Sequence, residues 1–247
     1  MVTQLTDDLY WLERCTSVDG RHLHVSAYLY VTEAGNILID SGPHGDESIA
    51  AEVDQLTDGD GVDTVLFTHS SLPHTGNAAA FHADGARVIS STSLLAEMDM
   101  GYAEEWRIDE QPTIHGRTFS FVKPVFSDHI FSQWIFDHEE GVLFPSETFG
   151  NYHDPGDCAH VWASDAVPIP EDDIRAYCQD RLPGMKCIRP ELLEEGLRAR
   201  LETYDVSLVA PSHGTPIESD HVDAYVERLI TVATRFSQDW LYHRMND

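Results

Sequence analysis

An apolar run, TVLF at 64–67, leads into a histidine at 69, and a second histidine follows at 74 in the stretch TVLFTHSSLPHTGN. A strand that delivers two imidazoles into one loop is a common way to build a metal site, since a neutral imidazole nitrogen ligates iron and zinc readily. The residues between His69 and His74 are two serines, a leucine and a proline. None of them is a strong ligand. The Gly76-Asn77 pair then opens a short helix over 77–83.

The surrounding pattern alternates strands with helices. VSAYLYV (25–31) and NILID (36–40) read as strands joined by the turn Glu33-Ala34-Gly35-Asn36. A helix over 46–57 opens on Asp46 and Glu47 and places Ile49, Ala50, Val53 and Leu56 on one face. ARVISS (86–91) is a strand and SLLAEMDMGY (93–102) a helix. TFSFVK and SQWIFD (132–137) are strands, and VLF follows the turn His138-Glu139-Glu140-Gly141. Residues 151–189, rich in Pro, Gly and Asp, read as an irregular surface excursion that covers a pocket or makes a dimer contact. Pro190 opens a helix (PELLEEGLRARLETY) with Leu192, Leu193, Leu197 and Leu201 inward. VSLVA is a buried strand leading to PSHG. The last helix, 220–242, carries Val222, Tyr225, Val226, Leu229, Ala233, Phe236 and Trp240 along one stripe. Each half contains hairpin, strand and helix. The expected class is therefore α/β (α+β): one domain over 1–247, two mixed sheets face to face with helices outside.

The charge excludes some partners. There are 43 acidic residues against 15 basic ones, a net charge of −28, and Lys123 and Lys186 are the only lysines. Nucleic acid and anionic membrane surfaces are not expected to bind such a chain. The acids are dispersed among apolar residues, as in proteins of salt-loving organisms, where salt screens self-repulsion. No stretch reads as a membrane span, and MVTQLTDDLYW has no signal-peptide character, so the expected compartment is the cytoplasm. Cys15, Cys158, Cys178 and Cys187 lack Cys-x-x-Cys spacing and are expected as free thiols. His22, His24, His44, His82, His115, His138, His153, His160, His221 and His243 carry no motif of their own. Surface or capping roles are expected for most, with His24 and His153 able to reach a pocket rim.

LIDSG, THSSLPHTGN, VLFPSETFG and VAPSHG occur in that order. As a set they resemble the metallo-β-lactamase fold, and from residue 25 to 216 the chain is similar to the oxygen-binding diiron (ODP) domain of flavodiiron proteins. The resemblance implies an αββα sandwich with its site at the strand ends, and a non-haem diiron centre that reduces oxygen or nitric oxide. It also implies a flavodoxin domain after the metal domain. Only some thirty residues follow PSHG, so no FMN is expected on this chain alone and a separate flavoprotein is the expected electron donor. A homodimer is expected.

Carried over residue by residue, the family motif His-x-Glu-x-Asp-His falls on His69, Ser71, Pro73 and His74. The histidines match and the carboxylates do not. The bridging carboxylate corresponds to Glu147 and the last histidine to His213. The remaining ligand falls on Asp128 or, with one residue of slippage, on His129. Asp40 is expected beside the ligands, hydrogen-bonded to the loop that holds His69. With two anions missing, two adjacent divalent cations are disfavoured. His74, His213 and Glu147 would suit one Fe(II), with zinc or manganese as alternatives, and His69 with Asp128 or His129 a weaker second half-site. Three functions follow: an oxygen- or nitric-oxide-related redox protein, a metal-dependent hydrolase, or a metal-free sensor or binding module.

Overall fold

A computed structural model describes residues 1–91, 100–127, 131–158 and 168–246, with side chains as far as residue 238. One sheet has seven strands in sequence order: β1 (Val2–Gln4), β2 (Leu9–Val18), β3 (Arg21–Tyr30), β4 (Ile37–Ile39), β5 (Thr64–Leu66), β6 (Arg87–Ser91) and β7 (Glu104–Trp106). The second sheet has six, ordered β13 (Ile217–Glu218), β12 (Leu208–Val209), β11 (Val142–Phe144), β10 (Trp134–Asp137), β9 (Arg117–Val122) and β8 (Thr113–Ile114). The helices are α1 (Glu47–Leu56), α2 (Leu72–Thr75), α3 (Ala78–Ala83), α4 (Glu171–Arg181), α5 (Pro190–Tyr204) and α6 (Ser219–Asn246).

Three apolar layers hold these elements together. Between the sheets, Trp11, Tyr28, Tyr30, Ile39 and Leu66 meet Phe119, Phe121, Ile135 and Phe144. Outside the first sheet, Leu38, Val65 and Phe67 pack on Ile49 and Val53 of α1 and Phe81 of α3. Outside the second, Phe136, Leu143 and Val209 pack on Ile174, Leu197, Tyr225 and Leu229 of α4, α5 and α6. Strand side chains alternate between faces, so each sheet feeds two of the three layers. This is the αββα sandwich that the residue pattern predicts.

Several expectations need correction. The segment 151–189 is not irregular throughout: it contains α4 and a 3-10 turn over Pro183–Cys187. The helix opens on Glu171, Asp172 and Asp173 and buries Ile174, Tyr177 and Cys178 at i, i+3 and i+4 spacing. Its otherwise polar sequence disguises it. In α5, Leu193 and Leu197 are buried, whereas Leu192 is 52% exposed, since a residue one step along a helix turns about 100° off the buried face. In α1, Ile49 and Val53 are buried but Ala50 faces solvent. Most of the helix expected over 93–102 lies outside the described residues, as does the side chain of Trp240.

Candidate metal centre

Strand direction brings the functional side chains to one end of the sandwich. β4 and β5 run parallel, as do β11 and β12. Asp40, His69, Glu147 and His213 follow the carboxyl ends of these four strands, where sites on sheets of this kind form. Two hydrogen bonds fix the sheets against each other there: Ser26 N–H donates to the Ser212 carbonyl at 3.0 Å, and the Tyr28 hydroxyl to the Pro211 carbonyl at 2.7 Å. His74 comes from the single turn α2. Pro73 is tolerated in this first turn because its missing N–H is not required there. The Ser71 carbonyl accepts from His74 N–H at 2.9 Å, and the His74 carbonyl accepts from Ser41 N–H at 2.5 Å.

His69, His74, Glu147 and His213 are all buried. Nε2 of His74 lies 3.2 Å from Nε2 of His213. The rings of His69 and His74 are 4.5 Å apart, and His69 Nε2 is 3.9 Å from Glu147 Oε1. Partners on the far nitrogens assign the tautomers. His213 Nδ1 donates to the His24 carbonyl at 2.7 Å, which leaves Nε2 as a lone pair. The Thr68 hydroxyl donates to Asp40 Oδ2 at 2.8 Å, so at 2.9 Å it accepts from His69 Nδ1. His69 therefore turns its Nε2 toward Glu147. His74 Nδ1 faces Asp40 Oδ2 at 3.7 Å. An N–H in that position leaves lone pairs of His74 and His213 opposed, an arrangement that a cation between them relieves. Two nitrogens bound to one ion at about 2.0–2.1 Å with a tetrahedral angle lie about 3.3 Å apart. The donor set fits a first-row transition metal.

Electrostatics favour the same state. Burial pushes His213 down to about 4 and His74 well below the usual imidazole range, the latter helped by its neighbours His69 and His213. Both are neutral at pH 7, as ligands must be. The approach of Asp40 to His74 is therefore not an ion pair. Asp40 is fully enclosed and accepts from Thr68 N–H at 2.9 Å, the Thr68 hydroxyl and, at 3.1 Å, the Ser212 hydroxyl. Burial pushes its carboxyl up to about 7, and these hydrogen bonds oppose the shift. Asp40 thus braces Thr68, which in turn braces His69.

The Glu147 loop is strained on both sides. Ser146 and Phe149 have positive φ values of 55° and 68°, a conformation that is unusual for an aromatic residue. Phe149 is held there by packing on Trp134 and Tyr225, and the Tyr177 hydroxyl donates to the Glu147 carbonyl at 2.8 Å. Gly214 has φ +99°, and a Cβ there would meet Asn151 N at 2.6 Å, so only glycine fits after His213. Ser71, Pro73, Glu147, Arg181 and His213 line an open pocket of about 570 Å³.

The structure thus brings His69, His74, Glu147 and His213 together, with Asp40 beneath them and Ser71 at the pocket wall. Asp128 and His129 lie outside the described residues. Sequence reasoning missed Arg181, whose only signal was its place at the end of a helix not foreseen. It gave His22 no motif of its own and expected the cysteines as free thiols. Among the described residues, Cys15, His22, His153 and Cys158 instead form a second cluster, with candidate ligand atoms all within 4.8 Å of one another. The cysteines form no disulfide.

Residues 20–165 match the metallo-beta-lactamase superfamily, which is more than half of the chain, and the chain belongs to that superfamily. Among solved structures it is similar to the flavodiiron protein from Giardia intestinalis (TM-score 0.74, 15% identity, 94% of this chain and 59% of that one). It is similar also to rubredoxin oxygen:oxidoreductase from Desulfovibrio gigas (TM-score 0.75, 16% identity, 95% and 62%). A metallo-beta-lactamase from Pontibacter korlensis matches over most of both chains (TM-score 0.66, 16% identity, 95% and 98%). At such identities the likeness is one of fold. The chain spans about three fifths of the length of the flavodiiron structures. No curated protein matches it. No helix among the described residues is long and apolar enough to cross a membrane.

Proposed function

We propose that the chain holds one iron ion at the strand-end pocket and serves oxygen- or nitric-oxide-related redox chemistry, with electrons from a separate flavoprotein. The observation that carries this reading is the convergence of His69, His74 and His213 with the carboxylate of Glu147. His74, His213 and Glu147 form two imidazoles and one carboxylate, a set that suits non-haem Fe(II) with positions left for a small ligand. His69 is the fourth donor. Bound iron would supply one-electron chemistry toward a diatomic ligand. Ser71 and Pro73 stand where the flavodiiron pattern has carboxylates, so the anions that would offset two adjacent cations are missing. Asp40 and the His24 carbonyl aim His69 and His213, and Arg181 at the pocket wall favours a ligand that carries negative charge.

The test is an anaerobic Fe(II) titration in concentrated potassium chloride, which screens the net charge of −28. Saturation at one equivalent is expected, with a half-integer-spin nitrosyl signal in electron paramagnetic resonance and oxygen uptake when a reduced flavoprotein is added. Ester or phosphodiester turnover by the zinc form without oxygen uptake would replace this reading with a hydrolase. If, with the Cys15–Cys158 cluster already loaded with zinc, further Fe(II), Mn(II) or Zn(II) neither binds nor raises the melting temperature, the metal-free binding module is the better reading, since a ligand that binds the native state must stabilise it.

A further inference from the structure

The second cluster draws on three separate segments of chain. Cys15 stands on β2 and His22 on β3, while His153 and Cys158 follow the Glu147 loop. Cys15 Sγ is 3.0 Å from His22 Nδ1 and 3.3 Å from His153 Nε2, and His22 Nδ1 is 3.3 Å from Cys158 Sγ. We propose that Cys15, His22, His153 and Cys158 form a structural zinc site that staples the segment after Glu147 to the β2–β3 hairpin.

Geometry, chemistry and placement each support it. Four ligands around zinc, at about 2.3 Å for sulfur and about 2.0 Å for nitrogen, lie roughly 3.3–3.8 Å apart when tetrahedral. The three separations above need only small adjustment, and no two of the four ligand atoms are more than 4.8 Å apart. Two thiolates and two imidazoles are a set that zinc prefers, and two thiolates cancel its charge. Binding would release both thiol protons to solvent, leaving a neutral site with no metal oxidised or reduced. Four protein ligands fill the tetrahedron, so the site would hold structure and not turn over substrate.

The backbone places three of the four ligands before any metal arrives. Cys15 pairs with His24 across the β2–β3 ladder, so Cys15 and His22 are diagonal neighbours on one face. His22 and His153 form an antiparallel bridge, with N–H···O distances of 2.9 Å and 3.0 Å. Cys158 is tethered by its carbonyl, which accepts from His24 Nε2 at 2.5 Å.

Cobalt(II) titration of the reduced full chain is the direct test, because cobalt bound by thiolate has a near-ultraviolet charge-transfer band and intense tetrahedral d–d bands. Both are expected in the unmodified protein and in His213→Ala, which removes a donor of the strand-end pocket and none of the cluster. The charge-transfer band should vanish in Cys158→Ser, a change at a partly exposed position that leaves the fold intact, while d–d bands from cobalt in the strand-end pocket can remain. Zinc affinity of that variant should fall by more than the 10–100-fold that outer-sphere changes cost. In the unmodified protein loaded with one equivalent of zinc, X-ray absorption should resolve two sulfur and two nitrogen neighbours. Absence of the charge-transfer band, its survival in Cys158→Ser, or a Cys15–Cys158 disulfide in freshly purified protein would each overturn the proposal.

Discussion

The strand-end pocket and the cysteine–histidine cluster lean on one residue, His24. Its carbonyl holds His213 Nδ1, and its ring stacks on His153 at 4.0 Å. Burial, with His153 beside it, pushes His24 down to about 3, so it is a neutral wall between the two. They are built differently. The pocket gathers side chains from loops after four strands and aims them with buried hydrogen bonds, strained backbone and a required glycine. It then stays open to a space of about 570 Å³. The cluster needs little of that apparatus, because a hairpin register and one bridge already align three side chains. Open coordination must be held apart by its surroundings, whereas closed coordination holds the surroundings together.

Removing the main brace of the pocket tests this contrast most severely. Asp40→Ala leaves Thr68 N–H, the Thr68 hydroxyl and the Ser212 hydroxyl without their buried acceptor. The expected loss is about 3 kcal/mol or more in urea denaturation, because each stranded donor keeps its desolvation cost. Iron binding at the pocket should fall as His69 loses its orientation, while the cobalt–thiolate band of the cluster persists. If the band also disappears, the two sites share one supporting structure and the contrast fails.

Gly214→Ala should do less. It forces a Cβ onto a φ of +99° and within 2.6 Å of Asn151 N. A loss of about 2 kcal/mol is expected, with weaker iron binding as His213 shifts. Asn151 lies near His153, so cobalt spectra of this variant also measure how far a disturbance in the pocket travels toward the cluster. A shift in the d–d bands without loss of the charge-transfer band would mean that His153 moves and the thiolates stay.

The pocket was legible in the sequence because each of its residues follows an apolar run: TVLF before His69 and His74, VLF before Glu147, VSLVA before His213. Runs of that kind mark strands, and the order of the motifs marks the fold. The cluster was not legible. Cys15 and His22 are separated by a hairpin turn, and Cys15 and His153 by 138 positions. What unites them is a ladder register, which residue types do not announce. His22 has no motif, and only its pairing with His153 reveals a role. The helix Glu171–Arg181 was hidden for a related reason: its three buried residues are outnumbered by acids, so composition spoke for a loop. Leu192 was misplaced by counting leucines instead of helical phase. Leu193→Ala should cost about 2–5 kcal/mol and Leu192→Ala within about 0.5, measured by the same denaturation.

The change expected to disturb the fold least is also the one that sharpens the contrast most. Pro73 is exposed in the first turn of a four-residue helix, and the Ser71 side chain makes no capping bond there. Replacing them as Ser71→Glu with Pro73→Asp should alter stability by no more than about 0.5 kcal/mol, the usual range for surface positions away from special backbone. Both positions line the same pocket wall as Glu147 and His213, so the new carboxylates would enter the space where a second cation needs neutralising. The Fe(II) titration of this variant should rise from one equivalent to two, with the zinc content of the cluster unchanged. A titration that stays at one would place the obstacle in the shape of the loop and not in its missing charge. Two equivalents in the unmodified chain would show that Glu147 and the histidines need no further anions, and that the altered loop never cost the pocket its second metal.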